Sequence, residues 1–262
     1  MGVLNVTPDS FSDGGQFLDP GRALDHALAM EAAGAALIDV GGESTRPIGA
    51  QTVSTEVELA RIEPVLKLLA RRVRVPLSID TRKAAVARAA VALGVAIVND
   101  VSALTADPAM APLVVESDCV VVLMHMRGQP ENHMQFARYR EVVSEVASYL
   151  RTRARFAIAA GIDRRRIILD PGLGFAKNAR HNLKLLGGLS RLCALGYPVL
   201  IGASRKTFVR KIAGADVLAI QSGNAAVHAL AIANGASIIR VHDVGPSMAA
   251  MRMAVAVRQA QV

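Results

Sequence analysis

Tryptophan is absent from this 262-residue sequence, and aromatic residues make up only 3% of it. Because hydrophobic residues nevertheless amount to 52%, the core must be built mainly from alanine, valine, leucine and isoleucine. Parallel strands that are covered by helices on both faces have such aliphatic cores, whereas a β-sandwich would carry more aromatic residues. The composition therefore favours an α/β protein.

Long apolar runs and closely spaced cysteines are also missing. No stretch reaches the roughly 18 continuous apolar residues of a membrane span, and the first residues do not resemble a signal peptide. Cys119 and Cys193 lie in apolar segments without metal-ligand spacing, which predicts buried thiols. We expect a cytoplasmic protein with no membrane partner.

Acidic residues are too few to balance the basic ones, and the formal net charge is +8. Arginine-rich patches occur at 71–74 and 164–166, but neither is interleaved with aromatic residues and no nucleic-acid-binding motif accompanies them. We therefore expect a solvated basic surface and no nucleic-acid partner. Strong, salt-dependent retention on DNA would support the opposite interpretation.

One unit recurs along the chain: an alanine-rich helical pattern, a glycine near its end, and a short β-branched run that ends in a polar residue. Examples occupy residues 32–40, 92–100, 159–170, 194–202 and 233–241. Glycine at a helix C-terminus adopts the left-handed turn without strain, and the run after it has the length of a short strand. The recurrence predicts repeated β/α units.

Eight such strands can be counted, each followed by a helical pattern. Their predicted ends are Asn5, Asp39, Asp80, Asn99, His125, Asp170, Gly202 and Val241. Eight alternating strands and helices in one chain of this length predict a single (β/α)8 barrel domain over residues 1–262, with its active site at the C-terminal ends of the strands. An open doubly wound sheet is the alternative, but it would more often stop at about five or six strands.

Two helix starts can be predicted in more detail. Thr55 and Glu58 have the spacing of a capping box ahead of a long amphipathic pattern. Pro246 suits the first turn of the last helix, where its missing N–H is not needed.

Polar side chains would converge at the mouth of this barrel. Three carboxylates and two amides, from Asn5, Asp39, Asp80, Asn99 and Asp170, would lie near one axis, which is costly unless a ligand or their neighbours satisfy them. One aspartate after a strand is more often a helix cap, but five polar ends together indicate a binding site. Carboxylates and amides can bind the amidine-like edge of a flat, nitrogen-rich heterocycle.

Cationic and hydroxyl residues are predicted at the same end. They are Arg46 in GGESTRP, the segment 204–206 (Ser-Arg-Lys), and Arg240 with His242. Such groups beside glycine-rich backbone suit a phosphate or diphosphate. An acidic floor with a basic rim predicts a substrate with a polar ring at one end and a diphosphate at the other.

Eight segments then match a known family in order: NVTPDSFSDGG, IDVGGESTRP, SIDT, VND, LMHM, LDPGLGF, SRK and IRVHD. From Gly2 to about residue 255 the chain resembles the dihydropteroate synthases. The resemblance implies a transferase of folate biosynthesis that condenses 6-hydroxymethyl-7,8-dihydropterin diphosphate with 4-aminobenzoate. It also implies Mg²⁺ as cofactor and a homodimer.

The resemblance further implies residue roles. The positions that match the family's pterin-binding residues are Asp80, Asn99, Asp170 and Lys206, and those that line its pocket are Met124, Phe175 and Gly202. Asn5 matches its Mg²⁺ ligand, and its diphosphate contacts correspond to Thr45, Arg240 and His242. The positions of its aminobenzoate site are Phe11, Asp13, Arg46, Pro47 and Ser204.

The chemistry expected of this set is a dissociative, SN1-like substitution. Asp80 would stabilise positive charge on the pterin, while Mg²⁺, Arg240 and His242 would neutralise the leaving diphosphate. Asp13 would orient the aniline nitrogen and accept its proton, and Lys206 completes the predicted catalytic set.

The sequence departs from the family pattern in two places. The family commonly has a hairpin before the first strand, whereas here the strand pattern starts at residue 2, so either the hairpin lies upstream or the protein manages without it. Ile48 is an extra residue after STRP, and we expect it to alter discrimination between 4-aminobenzoate and sulfonamides. Unchanged sulfonamide inhibition and substrate KM after deletion of Ile48 would exclude that effect.

Two further functions stay open at this stage. A methyltetrahydrofolate-type methyltransferase barrel would share the acidic floor but would not need Thr45, Arg240, His242 or the SRK segment. A pterin-binding paralogue without catalysis would be expected to lose a loop or rim residue, yet none is lost here.

Overall fold

Eight parallel strands form the centre of the molecule, in a computed structural model that describes residues 1–7, 19–44 and 52–260. The strands are β1 Gly2–Asn5, β2 Ile38–Gly41, β3 Leu77–Asp80, β4 Ile97–Asp100, β5 Val120–Met124, β6 Ile167–Asp170, β7 Leu200–Ile201 and β8 Ile238–Ile239. The helices are α1 Pro20–Ala32, α2 Thr55–Arg72, α3 Ala84–Ala92, α4 Met110–Glu116, α5 Val142–Ala159, α6 Ala179–Gly187, α7 Leu189–Cys193, α8 Thr207–Ala213, α9 Val217–Ala233 and α10 Val244–Gln259.

The strands close into a barrel. Strands β1 to β6 are neighbours in chain order, and β7 pairs with β8. Parallel bridges join Leu169 to Val199 and Gly2 to Val241, and the backbone N–H of Val3 donates to the Val241 carbonyl at 2.9 Å. These contacts connect the two sheets at both edges, so the predicted (β/α)8 barrel is confirmed and the open sheet is excluded.

Side chains alternate along each strand between the helices outside and the inside of the barrel, so the apolar residues form two layers. Residues such as Leu4, Ile79 and Leu123 face the helices and belong to the main core. A second cluster consists of Met1, Ile97, Val122, Ile168 and Leu200. Because these residues lie at or near the N-terminal ends of their strands, they fill the base of the barrel, and the polar residues are left at the opposite end.

The register brings the expected polar residues to one level of the barrel. Asn5 pairs with Gly41, Gly41 with Asp80, and Asp80 with Asn99. The prediction that Asp39 ends its strand is wrong, because Val40 and Gly41 continue β2 beyond it. Asp39 is fully buried one level lower, opposite Ser78.

Of the two predicted helix starts, one is wrong by one residue and the other is confirmed. Helix α2 is capped by Ser54, whose hydroxyl accepts from the N–H of Val57 at 3.3 Å, so the capping box at Thr55 and Glu58 is wrong by one residue. Ser54 retains extended backbone, which is the conformation that an N-cap requires. Pro246 does lie in the first turn of α10, as predicted.

The two thiols are free. Cys119 is buried and Cys193 is half-buried, so the prediction of buried thiols holds fully only for Cys119.

Within the part of the chain that the structure describes, no helix combines the length and the apolar character needed to cross a membrane.

An ion-paired cluster lies beside the ends of β2 and β3. Lys83 donates to Glu43 at 2.6 Å and to Glu58 at 2.5 Å, and the two carboxylate side chains are 6% and 1% exposed. Glu43 also accepts from Arg82 at 3.0 Å and from the backbone N–H of Val53 at 3.2 Å. The cluster therefore joins the segments that follow β2 and β3.

Lys83→Met is expected to lower the free energy of unfolding by about 3 kcal/mol, because it removes one cation from two buried carboxylates. Chemical denaturation at pH 7 measures this. Lys67→Met is the control, since Lys67 pairs with Glu63 on an exposed surface and should change the free energy by less than about 0.5 kcal/mol. Equal losses in both variants would contradict the account.

Candidate active site

A network of hydrogen bonds forms the floor of the barrel mouth around Asp39. Its Oδ1 accepts from the Ser78 hydroxyl at 2.5 Å. Its Oδ2 accepts from Asn99 Nδ2 at 3.1 Å and from Arg240 Nε at 2.6 Å. Both carboxylate oxygens are thus satisfied within the protein, so Asp39 serves to position Asn99 and Arg240.

Asp80 is only partly satisfied. Its Oδ2 accepts from Arg240 Nη2 at 2.8 Å, while its buried Oδ1 has no hydrogen-bond partner among the described residues. Burial raises the pKa of Asp80 to about 7, against the opposing effect of Arg240. A buried acceptor without a donor is costly, and a ligand N–H at this position would remove that cost.

A second group is built around Asp170 and Lys206. Asp170 Oδ1 accepts from the N–H of Gly172 at 2.7 Å. Lys206 donates to the Leu173 carbonyl, and its Nζ lies 4.8 Å from the ring centroid of Phe175. Burial lowers the pKa of Lys206 to about 8 and raises the pKa of Asp170, and each group's charge partly offsets the shift of the other.

A third group follows β7 and β8. The Ser204 hydroxyl accepts from the N–H of His242 at 3.2 Å and lies 3.1 Å from His242 Nδ1. Gly202 lies beside Arg240, whose Cβ would be 3.8 Å from a methyl group at the glycine. Ser204 and His242, which follow β7 and β8, therefore contact each other at the end of the barrel where Arg240 follows β8.

Asn5 and Met124 complete the described part of the mouth. The amide oxygen of Asn5 lies against Gly41, 3.6 Å from the position a Cβ would occupy there. Met124 is buried in a small cluster with Val101 and Met126, against which Phe175 packs. The structure thus brings Phe175 against the cluster that contains Met124.

Six predicted positions lie outside the described residues. They are Phe11, Asp13, Thr45, Arg46, Pro47 and Ile48. Their predicted roles stay predictions.

Three residues of the site escaped sequence reasoning. Ser78 stands two positions before Asp80, so strand alternation could have placed both inside the barrel. His133 lies in a short 3-10 turn and is 1% exposed, and Lys177 is 2% exposed. No periodicity indicates the burial of His133 or Lys177, because each depends on a loop contact.

The donor set suits Mg²⁺ carried with a diphosphate. Across residues 1–7, 19–44 and 52–260, no group of three histidine, cysteine, aspartate or glutamate side chains could hold a metal by itself. Mg²⁺ commonly takes one or two protein oxygens and completes its shell with phosphate oxygens and water. The half-buried amide oxygen of Asn5, beside the backbone of Gly41, can supply such a ligand.

The chain is similar to known pterin-binding proteins. A family model described as pterin binding enzyme matches residues 1–242. A dihydropteroate synthase of Mycobacterium leprae is 51% identical over 260 residues, covering 97% of this chain and 91% of that protein.

Solved structures show the same fold. Dihydropteroate synthase of Yersinia pestis, in a complex with a sulfonamide drug, superposes with a TM-score of 0.93 at 42% identity, covering 99% of this chain and 93% of the other. The enzyme of Xanthomonas albilineans with 4-aminobenzoic acid has a TM-score of 0.90 at 45% identity, covering 98% and 92%. The chain therefore belongs to the dihydropteroate synthase family of pterin-binding enzymes.

Proposed function

We propose that this chain condenses 6-hydroxymethyl-7,8-dihydropterin diphosphate with 4-aminobenzoate to form 7,8-dihydropteroate and diphosphate. The observation that carries the proposal is the buried, half-satisfied carboxylate of Asp80 beside Arg240 at the barrel mouth. Membership of the family and the 4-aminobenzoic acid bound by the Xanthomonas albilineans relative support it.

The floor residues recognise the pterin in this proposal. Asp80 Oδ1 accepts a ring or amino N–H, and Asp170 presents its second carboxylate oxygen beside Lys206. Asn99 donates one N–H of its amide to Asp39, which leaves its amide oxygen and its second N–H for the pterin. The apolar side chains of Met124 and Phe175 cover the flat ring.

Cleavage of the pterin C–O bond sends the bonding electrons to the leaving diphosphate and leaves positive charge on the exocyclic carbon and ring. The carboxylate of Asp80 stabilises that charge, and Arg240 with His242 contacts the diphosphate oxygens. Asn5 would hold Mg²⁺, whose charge offsets that of the leaving group.

The aniline nitrogen of 4-aminobenzoate then forms the C–N bond and loses one proton. Asp13 is proposed to accept that proton, and Phe11, Thr45, Arg46 and Pro47 to surround the acceptor and diphosphate, together with Ser204. All of these except Ser204 lie outside the described residues, so their support is the sequence match alone.

Product identification tests the proposal. Purified protein with Mg²⁺ and both substrates is expected to yield a compound with the mass of dihydropteroate, and omission of either substrate should abolish it. Methyl transfer from methyltetrahydrofolate, or pterin binding without product, would overturn the proposal. Neither of those alternatives is favoured, because the curated relatives and solved structures are dihydropteroate synthases.

The pH dependence of kcat/KM should be bell-shaped and narrow. Asp80 must be ionised, and burial raises its pKa to about 7, so activity is lost as the pH falls through that value. Lys206 must be protonated, and burial lowers its pKa to about 8, so activity is also lost above that value. Initial rates measured between about pH 5.5 and 9.5 check both limbs.

Lys206→Arg provides the control for the alkaline limb. A guanidinium remains charged at every pH tested, so the upper limb should disappear while the lower limb stays in place. A wild-type profile that is flat between about pH 6 and 9 would contradict both assignments.

A homodimer is proposed through α9 and α10. Leu230, Met253 and Val257 are 57%, 66% and 53% exposed, and they line or adjoin an alanine-rich apolar groove between the two helices. A second copy of the chain would cover this face. Sedimentation should show a dimer that Met253→Glu dissociates, and a monomeric wild type would exclude it.

Two further sequence predictions concern sulfonamide binding and location in the cell. The effect of Ile48 on sulfonamide binding rests on a residue outside the described part of the chain. A cytoplasmic location also stays a prediction.

A further inference from the structure

The segment after β6 places three alternate residues in the left-handed backbone region. Gly172 has φ +66°, Gly174 φ +83° and Ala176 φ +50°. Glycine adopts this conformation freely, but alanine does so only at a cost in conformational energy. Something in the surrounding structure must therefore hold Ala176 in place.

One of the two anchors is His133. The peptide that joins Phe175 to Ala176 donates its N–H to His133 Nδ1 at 2.7 Å. Accepting this bond requires that Nδ1 carries no proton, and burial lowers the pKa of His133, which keeps the imidazole neutral. The imidazole ring also lies 5.5 Å from the ring of Phe175.

The other anchor is Lys177. The carbonyl of the same peptide accepts from Lys177 Nζ at 2.8 Å. That nitrogen also lies 2.9 Å from His125 Nδ1 and 3.3 Å from the His125 carbonyl, immediately after β5. The N–H and the carbonyl of the Phe175–Ala176 peptide are thus both hydrogen-bonded. His133, in the segment after β5, binds the N–H, and Lys177, which itself contacts His125 at the start of that segment, binds the carbonyl.

We propose that His133 and Lys177 form a peptide clamp that positions Phe175 in the pterin pocket. The clamp keeps Ala176 left-handed and so fixes the direction in which the Phe175 side chain leaves the backbone. Phe175 in turn packs on the Met124 cluster and below Lys206. His133 and Lys177 are therefore positioning residues, and the inference rests on the proposed function of this pocket.

Without the clamp, the peptide is free to rotate and Ala176 returns to the favoured backbone region. The Phe175 ring then leaves the pocket wall, which weakens pterin binding more than it slows the chemical step. A glycine at position 176 would adopt the left-handed conformation without the strain that alanine has there. Rescue of a His133 variant by glycine at position 176 is therefore expected if His133 acts as a clamp, but not if it is only a stabilising contact.

The test compares His133→Ala, Lys177→Met, Ala176→Gly and the double variant His133→Ala/Ala176→Gly. The readouts are the KM for the pterin diphosphate, kcat, and the Kd for pteroic acid. His133→Ala and Lys177→Met should raise KM and Kd roughly tenfold, with kcat changed less than about threefold. Ala176→Gly alone should bind like wild type, and the double variant should recover to within about threefold of it.

Two controls sharpen the comparison. His133→Asn retains a side-chain acceptor and should bind better than His133→Ala. His181→Ala removes a neighbouring histidine that caps α6 and should leave KM unchanged, even where it lowers the melting temperature.

Unchanged binding in His133→Ala would overturn the clamp, and so would a double variant that binds no better than His133→Ala. Amide hydrogen exchange of Ala176 in the ligand-free protein provides a readout independent of activity. Exchange should be slow in wild type and faster in His133→Ala; equal rates would also overturn the clamp. Failure of wild type to bind pteroic acid would instead count against the proposed function.

Discussion

Asp80→Asn is expected to lower kcat/KM roughly 10²- to 10³-fold while the protein stays folded. The asparagine oxygen can still accept from Arg240, so the floor keeps its shape, but the negative charge beside the developing cation is lost. Initial rates with both substrates and a thermal melt of the same preparation measure the two effects separately.

Asp100→Asn is the matched control for this variant. Asp100 is also buried, but its carboxylate accepts from the hydroxyl and backbone N–H of Ser102 and from the N–H of Leu104 rather than from the floor. It should lower the melting temperature and leave the rate per folded molecule nearly unchanged. Similar rate losses in the two variants would show that Asp80 acts only through stability.

Arg240→Met is the second change with a large expected effect. It leaves Asp39 and Asp80 without the cation that donates to both, at 2.6 and 2.8 Å. The free energy of unfolding should fall by about 3 to 5 kcal/mol at pH 8, and turnover should be lost with the diphosphate contact. Urea denaturation at several pH values measures the loss of stability.

The loss should depend on pH in a defined direction. Burial already raises the pKa of Asp80 to about 7 with Arg240 present, and removal of Arg240 raises it further. The folded variant then binds more protons than the unfolded chain above about pH 4, so its stability falls as the pH rises from there. The loss of unfolding free energy in Arg240→Met, relative to wild type, should thus be smaller at pH 5 than at pH 8.

Arg205→Met serves as the control for Arg240. Arg205 also pairs with a carboxylate, Asp243 at 2.6 Å, but both side chains are about one-third exposed. Its loss should cost about 1 kcal/mol or less, with little dependence on pH. A comparable loss in both variants would contradict the special role of the floor.

The architecture could be predicted because it depends on local patterns that repeat. Eight short strand patterns recur along the chain, five of them after a helix-ending glycine, and strand alternation placed Asp80, Asn99 and Asp170 at one end of the barrel. The exact end of β2 could not be predicted, because Val40 and Gly41 extend the strand by pairing with β3, and no feature of their own sequence indicates this. Asp39 therefore supports the floor from one level lower instead of ending its strand at the mouth.

Within the site, only residues that belong to sequence motifs could be predicted. The family match identified Lys206, Arg240 and His242, but not the double hydrogen bond of Arg240 to the floor. Burial of His133 and Lys177 arises where the segments after β5 and β6 meet, and contacts between two irregular loops leave no periodic trace in the sequence.

The most direct measurement of the central claim is a single-turnover experiment with wild-type protein, Mg²⁺ and the pterin diphosphate, followed by rapid quenching with and without 4-aminobenzoate. With the acceptor present, diphosphate and dihydropteroate are expected to form in equal amounts. Pterin diphosphate that binds but stays intact under both conditions would contradict it.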